Sequence, residues 1–387
     1  MNKLRQFLPR LVSYLALAQV MLLTGTAVSA EPFCEKTDLF EAGKGGYATY
    51  RVPGIVVTPR GTLLAYCAAR KSLRGDWGTI DIMIRRSTDG GKTWERRRKI
   101  VSSEEYKGQV AQNPVTHLAE EGEITVDNPV AIVDHKTDSI HFLYCVEYAY
   151  CYYMRSDDDG RTFTKPIDIT ETFEKFRSEY DWKVLATGPG HGIQLKNGRL
   201  LVPVWLSTGT GWHGHRPSCV SVIYSDNHGR IWQRGDIIAA HPNPVNPSEA
   251  TIIQLNDGRV MINIRTEEGR EQLEDGRVID KESKPHLRAV SISPDGATDW
   301  SKIIFHEQLP EPVCKGSIIR FTERPEHQKN RILFSNPHSR RHRENVTVKL
   351  SYDEGNTWPI TKSIEPGLSG YSDMAVGPDG LAYCFYE

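Results

Sequence analysis

The chain has almost no excess of either charge: 49 Asp and Glu stand against 48 Lys and Arg in 387 residues, spread along its length. A polyanion binder needs a basic face, because neutralising phosphates supplies its affinity, so this balance argues against a nucleic-acid partner. The clusters Glu95-Arg96-Arg97-Arg98-Lys99 and Arg340-Arg341-His342-Arg343 read as solvated turns or strand faces, Arg343 excepted. No pair of the seven cysteines has zinc-site spacing, and the close histidines His338 and His342 lie in an arginine-rich loop. No metal or other cofactor is therefore expected. An odd cysteine count leaves at least one thiol over; Cys145 and Cys151, flanking Val146 to Tyr150, either bridge a hairpin or stay free. No low-complexity linker divides the chain.

A long apolar run, Leu11 to Val28, follows Lys3, Arg5 and Arg10 and precedes Ser29-Ala30. That layout predicts a secretory signal over 1–30 and a secreted or periplasmic product with no stable membrane insertion after cleavage. An uncleaved membrane anchor is the alternative, because the run is near bilayer-spanning length. Cleavage leaves 31–387 as one domain of 357 residues, and loss of three bases and no acid moves the formal charge from -1 to -4.

What the chain does have is a recurring turn. Ser87 to Trp94, STDGGKTW, reads as S-x-D-x-G-x-T-W and returns as SDDDGRTF from Ser156 and SYDEGNTW from Ser351. Worn copies begin at Ser225, with Asn227 in the Asp place, and at Ser293, with Ala297 in the Gly place. The starts are 69, 69, 68 and 58 residues apart. Asp and Gly make a tight turn, the carboxylate accepts N–H groups across it, and the terminal aromatic anchors it to a core, so these residues read as structural. Around each copy lie short β-branched and aromatic runs such as Gly61 to Tyr66 and Ile80 to Arg85. Units of this size with about four strands each suggest propeller blades. Five visible turns and one lost copy predict an all-β, six-bladed β-propeller.

Several charged residues stand where strands end or meet loops. Arg51 opens a strand in Tyr50-Arg51-Val52-Pro53, Arg70 closes the next, Arg265 ends Met261 to Ile264, and Arg343 precedes Asn345 to Val348. Arginine beside an apolar strand is costly to desolvate without an acid or an anionic ligand, so arginines from several repeats converging on the ring's opening would clamp an anion. A guanidinium holds a carboxylate through two parallel hydrogen bonds. The acids are Asp76 in a Gly-flanked loop, Glu249 in SEAT, and Glu387; Tyr371 follows Gly370.

Taken together, YRVP at Tyr50, the S-x-D-x-G-x-T-W turns, Thr187-Gly188-Pro189-Gly190, SEAT with NIR following, Arg343-x-Asn-x-Thr, and GYSD followed by the final YE resemble the exo-α-sialidases, or neuraminidases, of the bacterial and animal type. The resemblance runs from about Tyr47 to Glu387. It implies that Arg51, Arg265 and Arg343 clamp a sialic acid carboxylate, and that Arg70 touches the sugar ring. It further implies that Asp76 is the acid/base, that Glu249 and Tyr371 are the nucleophile pair, and that Glu387 holds Arg51. Arg340 and Arg341 compete for the place of Arg343, and the spacing to Asn345 favours Arg343.

The chemistry accounts for a phenol where most retaining glycosidases use a carboxylate. The anomeric carbon of a sialoside bears a carboxylate, so an acidic nucleophile would meet like charge. Glu249 would take the phenol's proton, and Asp76 would protonate the leaving oxygen and then activate water. Trp77 is expected to shed water beside Asp76. The expected reaction is metal-independent removal of terminal α-linked sialic acid, with retention, from sialylated glycoconjugates or oligosaccharides. The alternatives are a sialoglycan-binding propeller without catalysis, and a transfer or anhydro-forming reaction. The family usually continues with another strand beyond the position of Glu387, so either Phe33 to Phe40 supplies that strand or the sequence is truncated.

Overall fold

In a computed structural model that describes residues 34–113, 119–272, 278–280 and 286–387, each recurring turn closes on itself as its residues dictate. In the first copy the Asp89 carboxylate accepts from Thr93 N at 2.9 Å and Thr93 Oγ1 at 2.6 Å, while Gly91 N donates to Ser87 Oγ at 2.9 Å. Asp158 and Asp353 hold Thr162 and Thr357 the same way, and Asn227 replaces the acid by accepting from Ile231 N at 2.9 Å. In the copy at Ser293 the run from Ser to Thr is one residue shorter. Gly296, with φ +79°, donates to Ser293 Oγ, and Asp295 accepts from Thr298 N, so Gly296 and not Ala297 stands in the Gly place.

The turns also tie successive sheets together. The residue before the Gly projects onto the first hairpin turn of the preceding sheet. Asp159, with φ 66°, accepts from Thr58 Oγ1 at 2.5 Å, Thr62 Oγ1 at 2.6 Å and Arg86 Nη2 at 2.9 Å. His228 meets Asp134 at 2.7 Å, Asp295 meets Arg199 at 2.9 Å, and Glu354 accepts from Asn256 N at 2.8 Å. Gly90 O accepts from Tyr383 Oη at 3.2 Å, which links the last strands to the first sheet. At Asp159, His228 and Glu354 a left-handed backbone aims the side chain sideways, so a local turn becomes a contact between sheets.

Five sheets of four or more strands result. The first is Thr49–Val57, Leu63–Arg70, Ile80–Ser87 and Arg98–Val101. The second is Val126–Asp134, Ser139–Val146, Tyr150–Ser156 and Ile167–Asp168, with Gly190–His191 added in parallel. The third is built on Leu200–Ser207 and Ser218–Ser225, the fourth on Ala250–Gln254, Val260–Ile264, Leu287–Ser293 and Ile304–Pro310. The fifth is Ser317–Thr322, Arg331–Pro337, Glu344–Ser351 and Ile360–Leu368. Apolar residues fill the spaces between sheets, and Leu63–Arg70, Ser139–Val146 and Leu200–Ser207 are buried along their whole lengths. A network of Asp373 with Lys315 and His191, both at 2.8 Å, is buried near the axis, and Ile55 N donates to Asp373 at 3.0 Å.

The arrangement is therefore all-β with five blades, not the expected six. After the fifth sheet the described residues form a hairpin, Ser372–Val376 with Ala382–Tyr386, which pairs as a sheet of two strands where a blade has four. Met374 N donates to Ser317 Oγ at 3.0 Å, so the hairpin lies between the fifth and first sheets. Residues 34–40 form no strand; the Phe40 ring instead packs at a tilt on Phe385 at 5.9 Å and Tyr50 at 5.3 Å. Phe33 and the expected signal over 1–30 lie outside the described residues. Of the separate unit Met1–Thr37, residues 34–37 are described and hold neither helix nor strand, and the five blades belong to Asp38–Glu387. Among the described residues no helix is long and apolar enough to cross a membrane. All seven cysteines are free thiols, including Cys145 and Cys151, which face each other across their strand pair.

Candidate active site

Backbone irregularities next to prolines and left-handed residues aim the charged side chains. The ladder between the first two strands slips between Arg51 and Gly54, where Val52 takes φ 60° ahead of Pro53. A similar slip between Asp127 and Val130 has Asn128 at φ 53°, and another between Glu344 and Val346 has Asn345 at φ 59°. Bulges of this kind re-aim side chains beside sites.

A cavity of about 270 Å³ opens at the hub, and Arg51, Arg70, Asp76, Glu249, Arg265, Arg343 and Tyr371 all line it. Arg340 and Arg341 do not. The Tyr371 ring is the centre. The Arg51 guanidinium lies 5.3 Å from its centroid and that of Arg343 5.0 Å, while Arg265 Nη1 donates to its hydroxyl at 2.8 Å. The same Nη1 donates to Glu249, so one guanidinium nitrogen joins the phenol and the carboxylate that the sequence pairs directly. Arg343 is held by Val313 O at 2.7 and 3.2 Å. Glu387 stands behind the cavity and grips Arg51 with both oxygens at 2.9 Å.

Arg70 is a two-headed tether. Its Nη1 donates to Asp76 at 2.8 Å and to Gly75 O at 2.6 Å, and its Nη2 to Asp127 at 3.0 Å. Burial opposes ionisation of Asp76, yet Arg70, His215 and Arg51 outweigh it and hold the carboxyl well below its ordinary range. For the wholly buried Asp127 the balance falls the other way: burial, helped by Asp76, lifts it to about 6 against the pull of Arg70. Burial first, and then the Glu249 charge, push the Tyr371 phenol far up, although Arg265, Arg343 and Arg51 oppose them. The resting nucleophile candidate is therefore a neutral phenol, which needs a base to react.

Trp77 is expected beside Asp76 at the site, whereas the lining residues His215, Arg216, Asn246 and Glu267 carry no such expectation. Trp77 does not line the cavity; its ring is buried and stacks on His215 at 4.5 Å, with Tyr148 at 5.0 Å. His215 lines the cavity instead, and burial pushes its imidazole down to about 4. Arg216 makes a bidentate pair with Glu267 at 2.6 Å, and Asn246 Nδ2 donates to the same carboxylate at 3.0 Å. A signal for this loop exists in the Gly-rich run from Gly209 to Gly214 ahead of His215-Arg216-Pro217. Among the described residues no cluster of His, Cys, Asp and Glu is placed to hold a metal ion.

Residues 117–384 match the family model described as a BNR repeat-like domain. A sialidase of Micromonospora viridifaciens is 29% identical over 384 residues, covering 92% of this chain and 52% of that protein. One of Bacteroides fragilis (strain YCH46) is 29% identical, covering 82% and 55%. This chain thus spans about half the length of those two proteins, whereas mouse Sialidase-3, 24% identical, is matched over 91% of its length. Among solved structures, the Hadza microbial sialidase Hz136 superposes with a TM-score of 0.70 at 26% identity, covering 87% of this chain and 63% of that one. An intramolecular trans-sialidase from Ruminococcus gnavus gives the same score at 18% identity, covering 90% and 92%, and shares the fold. With its Asp-turn blades and the family-model match, the chain belongs to the BNR repeat-like family, and it is similar to sialidases of bacteria and animals.

Proposed function

We infer that this protein is a retaining exo-α-sialidase that removes terminal α-linked sialic acids from glycoconjugates or oligosaccharides through a tyrosyl intermediate. The observation that carries the reading is the ring of Tyr371 set among Arg51, Arg265 and Arg343, with Arg265 joining its hydroxyl to Glu249. Two guanidiniums over the phenol ring and a third at its hydroxyl form an anion site whose floor is a nucleophile. A bound sugar carboxylate would take up the open faces of these arginines and place the anomeric carbon over the Tyr371 oxygen.

In the reaction the phenol oxygen bonds to the anomeric carbon as its proton passes to Glu249. Arg265 stabilises the oxygen while charge develops on it. Asp76 delivers a proton to the departing oxygen, then takes one from the water that releases the sugar. Asp76 is held ionised by its neighbouring cations. A substrate carboxylate on Arg51, which is 3.9 Å from Asp76, offsets one of those cations and so raises the proton affinity of the acid when it is needed. Residues 31–387 would form the catalytic domain, and the layout of residues 1–30 supports export.

The test is a mixed panel of α-linked sialosides with identification of the released product. Free sialic acid, appearing first as the α-anomer by NMR, is the expected result. Binding without release would reject the hydrolase reading, and an anhydro sugar or a transferred sialoside would replace hydrolysis by the corresponding transfer.

A further inference from the structure

The lining of the cavity includes several buried polar atoms without protein partners, among them one on Asn246 and one on His215. The Asn246 Nδ2 donates to Glu267, and because a carboxylate can only accept, the amide's orientation is set and its oxygen points elsewhere. That oxygen is buried and has no hydrogen-bond partner. The His215 ring is caged by Trp77 at 4.5 Å, Trp205 at 5.2 Å and Tyr148 at 5.5 Å, all aromatic. Its Nε2 is buried and equally unpartnered. Glu267 also grips Arg216, next to His215, so one carboxylate anchors both residues' segments. Buried polar atoms left without partners are uncommon, and here they cluster in a cavity, supplied by side chains that other contacts hold rigidly.

We propose that His215 and Asn246 form a neutral donor and acceptor pair that recognises an uncharged polar substituent of the bound sugar, an amide or a hydroxyl-bearing chain, and so selects among sialic acids. The proposal rests on the sialidase reading above. An imidazole provides an N–H and an Asn oxygen accepts, which together match a group that both accepts and donates. A carboxylate is not the target, since the Asn246 oxygen would repel it. Two parts of a sialic acid carry this chemistry: the N-acyl amide and the hydroxylated side chain.

The experiment compares wild type, His215→Phe and Asn246→Ala on aryl sialosides that differ in one group: N-acetyl, hydroxyl in place of the amide, and a truncated side chain. Each variant is expected to lose about tenfold in kcat/KM, through KM, on the intact sugar. The loss should disappear on one analogue, which identifies the group: the amide-free sugar for the N-acyl source, the truncated one for the side chain. His215→Gln, which keeps a donor and an acceptor, should recover part of the selectivity. Equal losses on every analogue, or no loss, would overturn the proposal. Calorimetric titration of wild type and His215→Phe with the corresponding free sugars reads the subsite without turnover. A wild type that binds selectively yet releases nothing would therefore fail the hydrolase reading alone.

Discussion

Replacing Tyr371 by Phe removes one oxygen and should leave the rest of the hub in place. The ring keeps its contacts with Arg51 at 5.3 Å and Arg343 at 5.0 Å. The Arg265 nitrogen that loses the hydroxyl retains Glu249, so no buried donor is orphaned. Stability should change by less than about 1 kcal/mol, equivalent to a shift of at most about 2 °C in Tm. The carboxylate clamp is untouched, which keeps KM within a few-fold. Turnover should fall by about a thousandfold or more, because about 4 kcal/mol of barrier lowering depends on the nucleophile while Asp76 and the arginines supply only the residue. Initial rates on an aryl sialoside, paired with a thermal melt, measure both quantities. Turnover within tenfold of wild type at unchanged Tm would refute the nucleophile assignment and, with it, the reason for a phenol at the centre of three guanidiniums.

Other perturbations separate binding from stability. Glu387→Gln loosens the bidentate hold on Arg51, so KM for a sialoside should rise about tenfold with kcat less affected; steady-state kinetics check it. Arg288→Met leaves the buried Glu311 without its cation and should cost about 3–5 kcal/mol by denaturant unfolding. The carboxyl of Glu311 already sits above its usual range, burial being the main cause. Its ionised form weakens the fold as pH rises through that raised value, and the loss in the variant should therefore be largest near neutral pH and shrink toward pH 5. Asp353→Ala removes the acceptor of Thr357 N and Oγ1 at 2.8 and 2.7 Å at a residue that does not line the cavity; stability should fall by about 1 kcal/mol with kcat/KM unchanged.

How much of this was legible beforehand follows from the range of each interaction. The Asp turns were readable because Asp89, Thr93, Ser87 and Gly91 bond to one another within four residues. Even there, the shortening that moves Gly296 into the Gly place shows only when the N–H groups find their acceptors. The number of blades was not readable, since a sheet is complete only when distant strands pair, and the last hairpin is edged by the Phe40 ring where a strand was expected.

The candidate site divides in the same way. Residue types and their places at strand ends marked Arg51, Arg70, Asp76, Glu249, Arg265, Arg343, Tyr371 and Glu387 for attention. That Arg265 stands between Glu249 and Tyr371, that Trp77 turns inward under His215, and that Glu267 collects Arg216 and Asn246 required the closed ring. Sequence by itself determined the local turns and the kinds of chemical group available, because those depend on neighbours along the chain. Tertiary structure alone decided blade number and which groups share a proton or a charge, because both depend on distances between segments that only closure of the sheets brings together.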